Sequence, residues 1–272
     1  MSLVQLMTVN AVVKDDYSWL RCTIPGGAAE LQSAAENLAE RVLMLRCGAA
    51  ASVVDVWRES VHAGRILTDE EKKARVAFIG AGFGSPLKQL PPAHIEGMTA
   101  EYLWYFATSD YAAHHGIDVV RIEKPGLSPT STGGDGLVMI RENGSLGYFL
   151  WEIKKNTGQA HVSRTIARAY DQLDSNALDY LARYVGAAGA EANEADVQAL
   201  LASMVQDWIT SSGTAGAGVA VATSFTKTPR SCFSTFPNRF PDLKPRLRGV
   251  VFGLGDFPAF ATAVKELLWT AL

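Results

Sequence analysis

Three ionisable residues of this chain stand where they could do chemistry together: Asp135, Glu152 and Lys154. Glu152 and Lys154 are two apart in Trp151-Glu152-Ile153-Lys154. On a strand both side chains therefore leave from one face, while Trp151 and Ile153 point the other way, into the core. Two strand-like runs, Leu137 to Glu142 and Leu146 to Lys154, flank Asn143-Gly144, the strongest short hairpin signal a sequence carries. With that pair at the centre of the turn, Glu142 faces Ser145, and counting outward sets Asp135 opposite Glu152. Cross-strand partners have Cβ atoms ~4.5–5.5 Å apart, and like charges so placed repel unless a cation lies between them. A hard divalent ion is the simplest such cation, because an all-oxygen site with one or two carboxylates suits Mg2+ or Mn2+. The plain alternative is a surface hairpin whose charges are balanced by Lys154 and Lys155. Against it stands Glu101, whose helical neighbours are Gly97, Met98, Trp104 and Tyr105; a carboxylate on so apolar a face is costly unless paired or liganded.

Other candidate motifs read more plainly. Gly80-Ala81-Gly82-Phe83-Gly84 has its third glycine one position early for a dinucleotide-binding turn and follows a capped helix, so it reads as a helix end. His114-His115, one turn after Asp110, has nothing nearby to complete a metal site and suits a helix C-terminus. Arg164, Arg168 and Gln172 recur every four residues opposite an apolar stripe of Ile166, Tyr170, Leu173 and Ala177. They form a polar face that beside the carboxylates would meet phosphates. Between Phe225 and Arg248 six basic residues, Arg239, Lys244 and Arg246 among them, alternate with phenylalanines. That interleaving suits a single-strand groove, or equally a Pro-rich loop whose rings pack on the core.

The elements that must position these residues follow from periodicity. Helices are predicted over about 28–47, from the Thr68 capping box with Glu71, from about Thr99 to His114 with Gly116 as stop, over 163–184 and 194–211, and from about Pro258. The segment Ile117 to Glu123 and the hairpin suggest a three-stranded antiparallel sheet, 213–218 reads as a loop, and 218–223 and 249–254 read as short buried strands. The expected fold is mixed α/β (α+β), with a mostly helical N-terminal region over 1–95 leading into a mixed α/β domain over 96–272. With 25 basic and 28 acidic residues the net charge is −3, so no protein-wide positive field favours a polyanion and any nucleic-acid contact must be local. Cys22, Cys47 and Cys232 fit no zinc or disulfide spacing and read as reduced thiols. No leader or membrane span is expected, which points to a cytoplasmic protein.

Asp135, then Glu152-Ile153-Lys154 on the next strand of a hairpin, with Glu101 on the preceding helix, resembles the PD-(D/E)xK nuclease superfamily over about residues 96–180. Gly134 stands where many members have proline. The resemblance implies a restriction-endonuclease-like core and a DNA nuclease that uses Mg2+ or Mn2+. It implies that Asp135, Glu152 and the main-chain carbonyl of Ile153 bind the metal, with Glu101 supporting it. Lys154 would position or deprotonate the attacking water, and Tyr170-Asp171-Gln172-Leu173 is similar to a glutamine motif of some branches, with Gln172 in that role. In length and in its single nuclease unit the chain also resembles the HamA family, nuclease subunits of Hachiman antiphage defence systems that work with a helicase partner. The alternative from a different class is a nuclease-fold module that binds nucleic acid or protein without cutting.

Overall fold

The computed structural model describes residues 2–25, 27–126, 135–158, 161–188 and 194–272. Gly133 and Gly134, ahead of Asp135, lie outside the described residues. The chain opens with two strands, β1 (Thr8–Val13) and β2 (Ser18–Thr23). Four helices follow: α1 (Ala28–Cys47), α2 (Ala51–Ala63), α3 (Asp69–Phe83) and α4 (Pro92–His115). Then come β3 (Asp118–Ile122), the hairpin β4 (Gly136–Glu142) and β5 (Ser145–Asn156), α5 (Val162–Ala188), α6 (Ala195–Ile209) and β6 (Ala215–Thr223). A short helix α7 (Phe236–Arg239), β7 (Leu247–Gly253) and α8 (Phe257–Trp269) complete it.

The seven strands form one mixed sheet, ordered β1-β2-β7-β6-β5-β4-β3 and curled into a half-barrel. β2, β7, β6 and β5 run parallel; β1 at one edge and β4-β3 at the other add antiparallel strands. Burial on both faces explains why the central strands read as unbroken apolar runs. On one face Phe149, Trp151, Ile153, Val250 and Phe252 pack with residues of α1, α4 and α8. On the other Tyr148, Leu150, Val219 and Val251 pack with α5, α6 and the phenylalanines around α7.

The mixed α/β class is as expected, and the hairpin forms in the expected register: Glu142 pairs with Ser145 and Gly136 with Trp151. Asn143 and Gly144 both take positive φ, 52° and 80°, as a two-residue turn matched to the strand twist requires. The Thr68 cap accepts from the Glu71 amide while the Glu71 carboxylate accepts from the Thr68 amide. The Gly80–Phe83 segment is the last turn of α3, ended at Gly84, and the three cysteines are unpaired and buried.

Several expectations change. The N-terminal region supplies β1 and β2 to the common sheet, and α1 and α3 share a core with α4, β7 and α8; the 95/96 division falls inside α4. α4 starts at Pro92, whose missing N–H costs nothing at a first helical position. Residues 215–218 are strand rather than loop. Their small side chains are a packing requirement: a Cβ on Gly218 would stand 2.2 Å from Trp151 Cδ2, and one on Gly216 2.5 Å from Phe149 Cδ1. Among the described residues no helix is long and apolar enough to cross a membrane.

Gly218→Ala should therefore lower stability by about 1–3 kcal/mol, because a rigid indole or the strand must move, whereas Gly213→Ala, with open space around the new methyl, should stay within ~0.5 kcal/mol. Chemical denaturation of both variants checks this, and equal costs would mean that Trp151 does not lie on Gly218.

Candidate active site

The hairpin delivers Asp135 to the first position before β4, directly across from Glu152. Its Oδ2 accepts the main-chain N–H of Ile153 at 2.7 Å, which locks the carboxylate to β5. A strand residue directs its N–H and C=O toward the same neighbour, so the Ile153 carbonyl also faces the Asp135 side. Lys154 Nζ is in contact with Oε1 of Glu152 and stands 3.8 Å from Asp135 Oδ2. Exposure differs sharply within the trio: the Glu152 side chain is 0% exposed, Asp135 20% and Lys154 28%. Glu152 thus sits beneath α5 rather than on an open strand face. The site is reached past Asp135 and Lys154.

Glu101 comes from the opposite face of the sheet. α4 is pressed onto the start of β4, where a Cβ on Gly136 would lie 2.3 Å from Trp104 Cη2. One turn earlier on α4, Glu101 reaches the end of the sheet, close enough for the charge of Asp135 to act on it. A second contact pins the same corner: Lys155 is ion-paired with Glu96 of α4.

The electrostatics follow from three carboxyls around one ammonium. Burial first, then the charge of Asp135, pushes Glu101 and Glu152 each up to about 8, with Lys154 opposing both shifts and Arg46 also opposing that of Glu101. Burial likewise raises Asp135, offset by Lys154 and the Ile153 amide. Burial alone would lower Lys154, but Asp135 and Glu152 outweigh it and raise it. Neither oxygen of Glu152 receives a well-formed hydrogen bond from the described residues. No three His, Cys, Asp or Glu side chains among the described residues converge tightly enough to hold an ion alone. The oxygen set on offer is therefore the Asp135 and Glu152 pair with the Ile153 carbonyl, and Glu101 stands beside it.

α5 supplies the remaining neighbours. Gln172 Nε2 donates to the Tyr180 hydroxyl at 3.2 Å, and Asn176 Nδ2 to the same oxygen at 3.3 Å. Tyr180 feels Glu152 and Asp135, and Tyr184 feels Glu123, Asp135, Glu101 and Glu152. Asn176, Tyr180, Tyr184 and Arg46 are site neighbours absent from the sequence reading. A signal existed: the row Arg164, Arg168, Gln172 continues at the same spacing to Asn176, Tyr180 and Tyr184. Four residues turn a helix by about 400°, so such a row winds ~40° per step. It begins exposed at Arg164 and Arg168 and is buried by Tyr180.

Arg168 and Arg164 lie about one and two turns before Gln172, whose amide meets the Tyr180 hydroxyl, and both are exposed and without an ion pair among the described residues. The 225–248 segment takes its other reading: Phe233, Phe236 and Phe240 are buried in the core. Three of its six cations are engaged in ion pairs, Arg239 with Asp171 and Asp174, Lys244 with Asp16, and Arg246 with Glu142. Arg246 also packs against Gly147, at the start of β5. That is seven residues, or about 23 Å, from Lys154. Asp110, imagined beside His114, is instead clamped by Arg41 at 2.6 and 2.8 Å.

Compared with known proteins, the chain matches no family model and shows no significant similarity to a curated protein.

An unfolded glutamate titrates near ~4.3, so between there and about 8 the folded state retains protons on Glu101 and Glu152 that the unfolded chain releases. Stability must then fall as pH rises through that window. Thermal melts in EDTA at pH 5, 6.5 and 8 should show a falling Tm, and Glu152→Gln should flatten the slope. An unchanged slope in the variant would mean that Glu152 does not carry a buried, displaced proton.

Proposed function

We propose that the chain is a metal-dependent nuclease that hydrolyses phosphodiester bonds of DNA and works with a helicase partner, as the resemblance to PD-(D/E)xK nucleases and the HamA family implies. The observation that carries this reading is the pair of carboxyls opposed across the hairpin, one sealed from solvent, with Lys154 on the same strand face. Burying two opposed carboxyls beside a single ammonium is costly, and a divalent cation between the pair would reduce that cost.

Asp135, Glu152 and the Ile153 carbonyl would hold Mg2+ or Mn2+, which supplies Lewis acidity and charge neutralisation at the phosphate. The chain's own groups divide the other tasks. Lys154, kept protonated by its two carboxylates, holds its proton at Nζ and donates hydrogen bonds to a water or phosphate oxygen at the accessible rim. Tyr180 receives hydrogen bonds from Gln172 and Asn176, which leaves its own hydroxyl proton for a carboxylate or substrate oxygen. Glu101, which holds its proton up to about 8, would ionise beside a bound divalent cation and so add a negative charge that favours a divalent over a monovalent ion.

Lys154→Ala and Glu152→Ala should each reduce cleavage of plasmid DNA by at least ~100-fold, with Mg2+ required and EDTA inhibiting. The assay is run alone and with the natural partner, since a nuclease that endangers host DNA gains from being silent by itself. Full activity in both variants would refute the assignment, and DNA binding without cleavage by wild type would make the chain a binding module.

A separate outcome concerns the DNA path. Replacing Arg164 and Arg168 by Ala should weaken DNA binding and reduce the salt slope by about two. Replacing Arg239, Lys244 and Arg246 should leave the slope unchanged while lowering Tm, because those cations serve intramolecular ion pairs. The reverse pattern, read by binding titrations at several salt concentrations, would return the path to the 225–248 segment.

A further inference from the structure

The sheet face covered by α4 carries a feature that the carboxylate site does not use. On β7, Arg248, Val250 and Phe252 alternate onto the face covered by α4. There the helix presents small side chains, Thr108 and Ala112, and a cavity of about 510 Å3 remains between helix and sheet. Its volume falls in the range of small-molecule sites. The floor is apolar, built from Val250, Phe252 and Trp151, and Arg248 stands at the end toward the turn between β4 and β5.

The charged residues at that end are not equivalent. Arg141 is engaged by Asp118, Glu194 and Asp196, and Arg246 holds Glu142. Arg248 donates from Nη1 to the Pro245 and Leu247 carbonyls and lies over the Phe149 ring, with no carboxylate at ion-pair distance among the described residues. Burial holds its guanidinium below the usual arginine range, with Glu142 partly compensating. A partly buried guanidinium lacking a counter-anion at the head of an apolar slot favours a ligand with one negative charge and an apolar body. The acids at this end are already taken, so a cationic head would find no free partner. From Arg248 to Phe252 the floor runs four residues, about 13 Å.

We propose that this cavity binds an amphipathic monoanion, a carboxylate on an alkyl or aryl body of about ten carbons, with the head on Arg248 and the body along β7 toward Phe252. The site is independent of the nuclease reading. It lies on the opposite sheet face from Glu152 and Lys154.

Calorimetric titration with decanoate and decyltrimethylammonium below their micelle-forming concentrations, and with decanol below its solubility limit, tests it on the wild-type chain. Decanoate should bind one to one and at least ~10-fold more tightly than either companion. Arg248→Met should bring decanoate down to the affinity of decanol, and Thr108→Trp, which fills the slot, should abolish binding of both. Equal affinities of wild type for decanoate and decyltrimethylammonium, no decanoate binding, or undiminished binding in a folded Thr108→Trp variant would overturn the proposal. The wild-type comparison decides the question even if a variant fails to fold.

Discussion

The hydrogen bond from the Ile153 amide to Asp135 Oδ2 is the constraint on which the candidate site turns. It fixes a residue just outside β4 to a strand whose own register is already set by the Asn143-Gly144 turn. A slip of one residue would carry Glu152 and Lys154 to the α4 face and put Trp151 and Ile153 beneath α5. The turn geometry, the alternating burial along β5 and the opposition of the two carboxyls are therefore one structural fact. Parallel pairing with β6 then carries β5 past the start of β4, as far as Asn156.

That position has an electrostatic consequence. Glu152 is sealed while Lys154, two residues on, retains a path to solvent, so the trio spans a gradient from apolar interior to rim. Carboxyls in such a gradient are held in the protonated range by burial, and each neighbour of like charge adds to the shift. The arrangement stores an unfavourable interaction that ligand binding can relieve. A surface hairpin would carry no such shift, so the burial of Glu152 removes the surface part of the plain reading, while Lys154 neutralises the pair as that reading expects.

The curl of the sheet gives its two faces different roles. The α5 face is tightly filled by aromatic and aliphatic side chains around Glu152. The α4 face is filled at the carboxylate end by Trp104 against Gly136, and left hollow at the other end where α4 carries alanine and threonine. One helix thus closes the sheet at Glu101 and leaves space a few turns later. The difference lies in side-chain size along its inner stripe.

Local chemistry made much of this legible in the sequence. The Asn-Gly turn dictates the hairpin register and hence the opposition of Asp135 and Glu152. Apolar periodicity gives α1, α5 and α8, and the Thr68–Glu71 pair gives the start of α3. What the sequence left open depended on contacts between distant segments. β1 and β2 carry too little alternation to announce a sheet edge. The small residues at 215–218 read as a loop until Phe149 and Trp151 are seen lying on them. The roles of Arg239, Lys244 and Arg246 turned on acids up to about 230 positions away, Asp16 among them. A sequence shows that a cation is present, but only the tertiary structure decides whether an acid has already claimed it, because ion pairing falls off within a few ångströms while chain separation says nothing about distance in space. The burial of Glu152 was decided the same way: periodicity gives the face on which a side chain leaves its strand, and packing decides whether that face is covered.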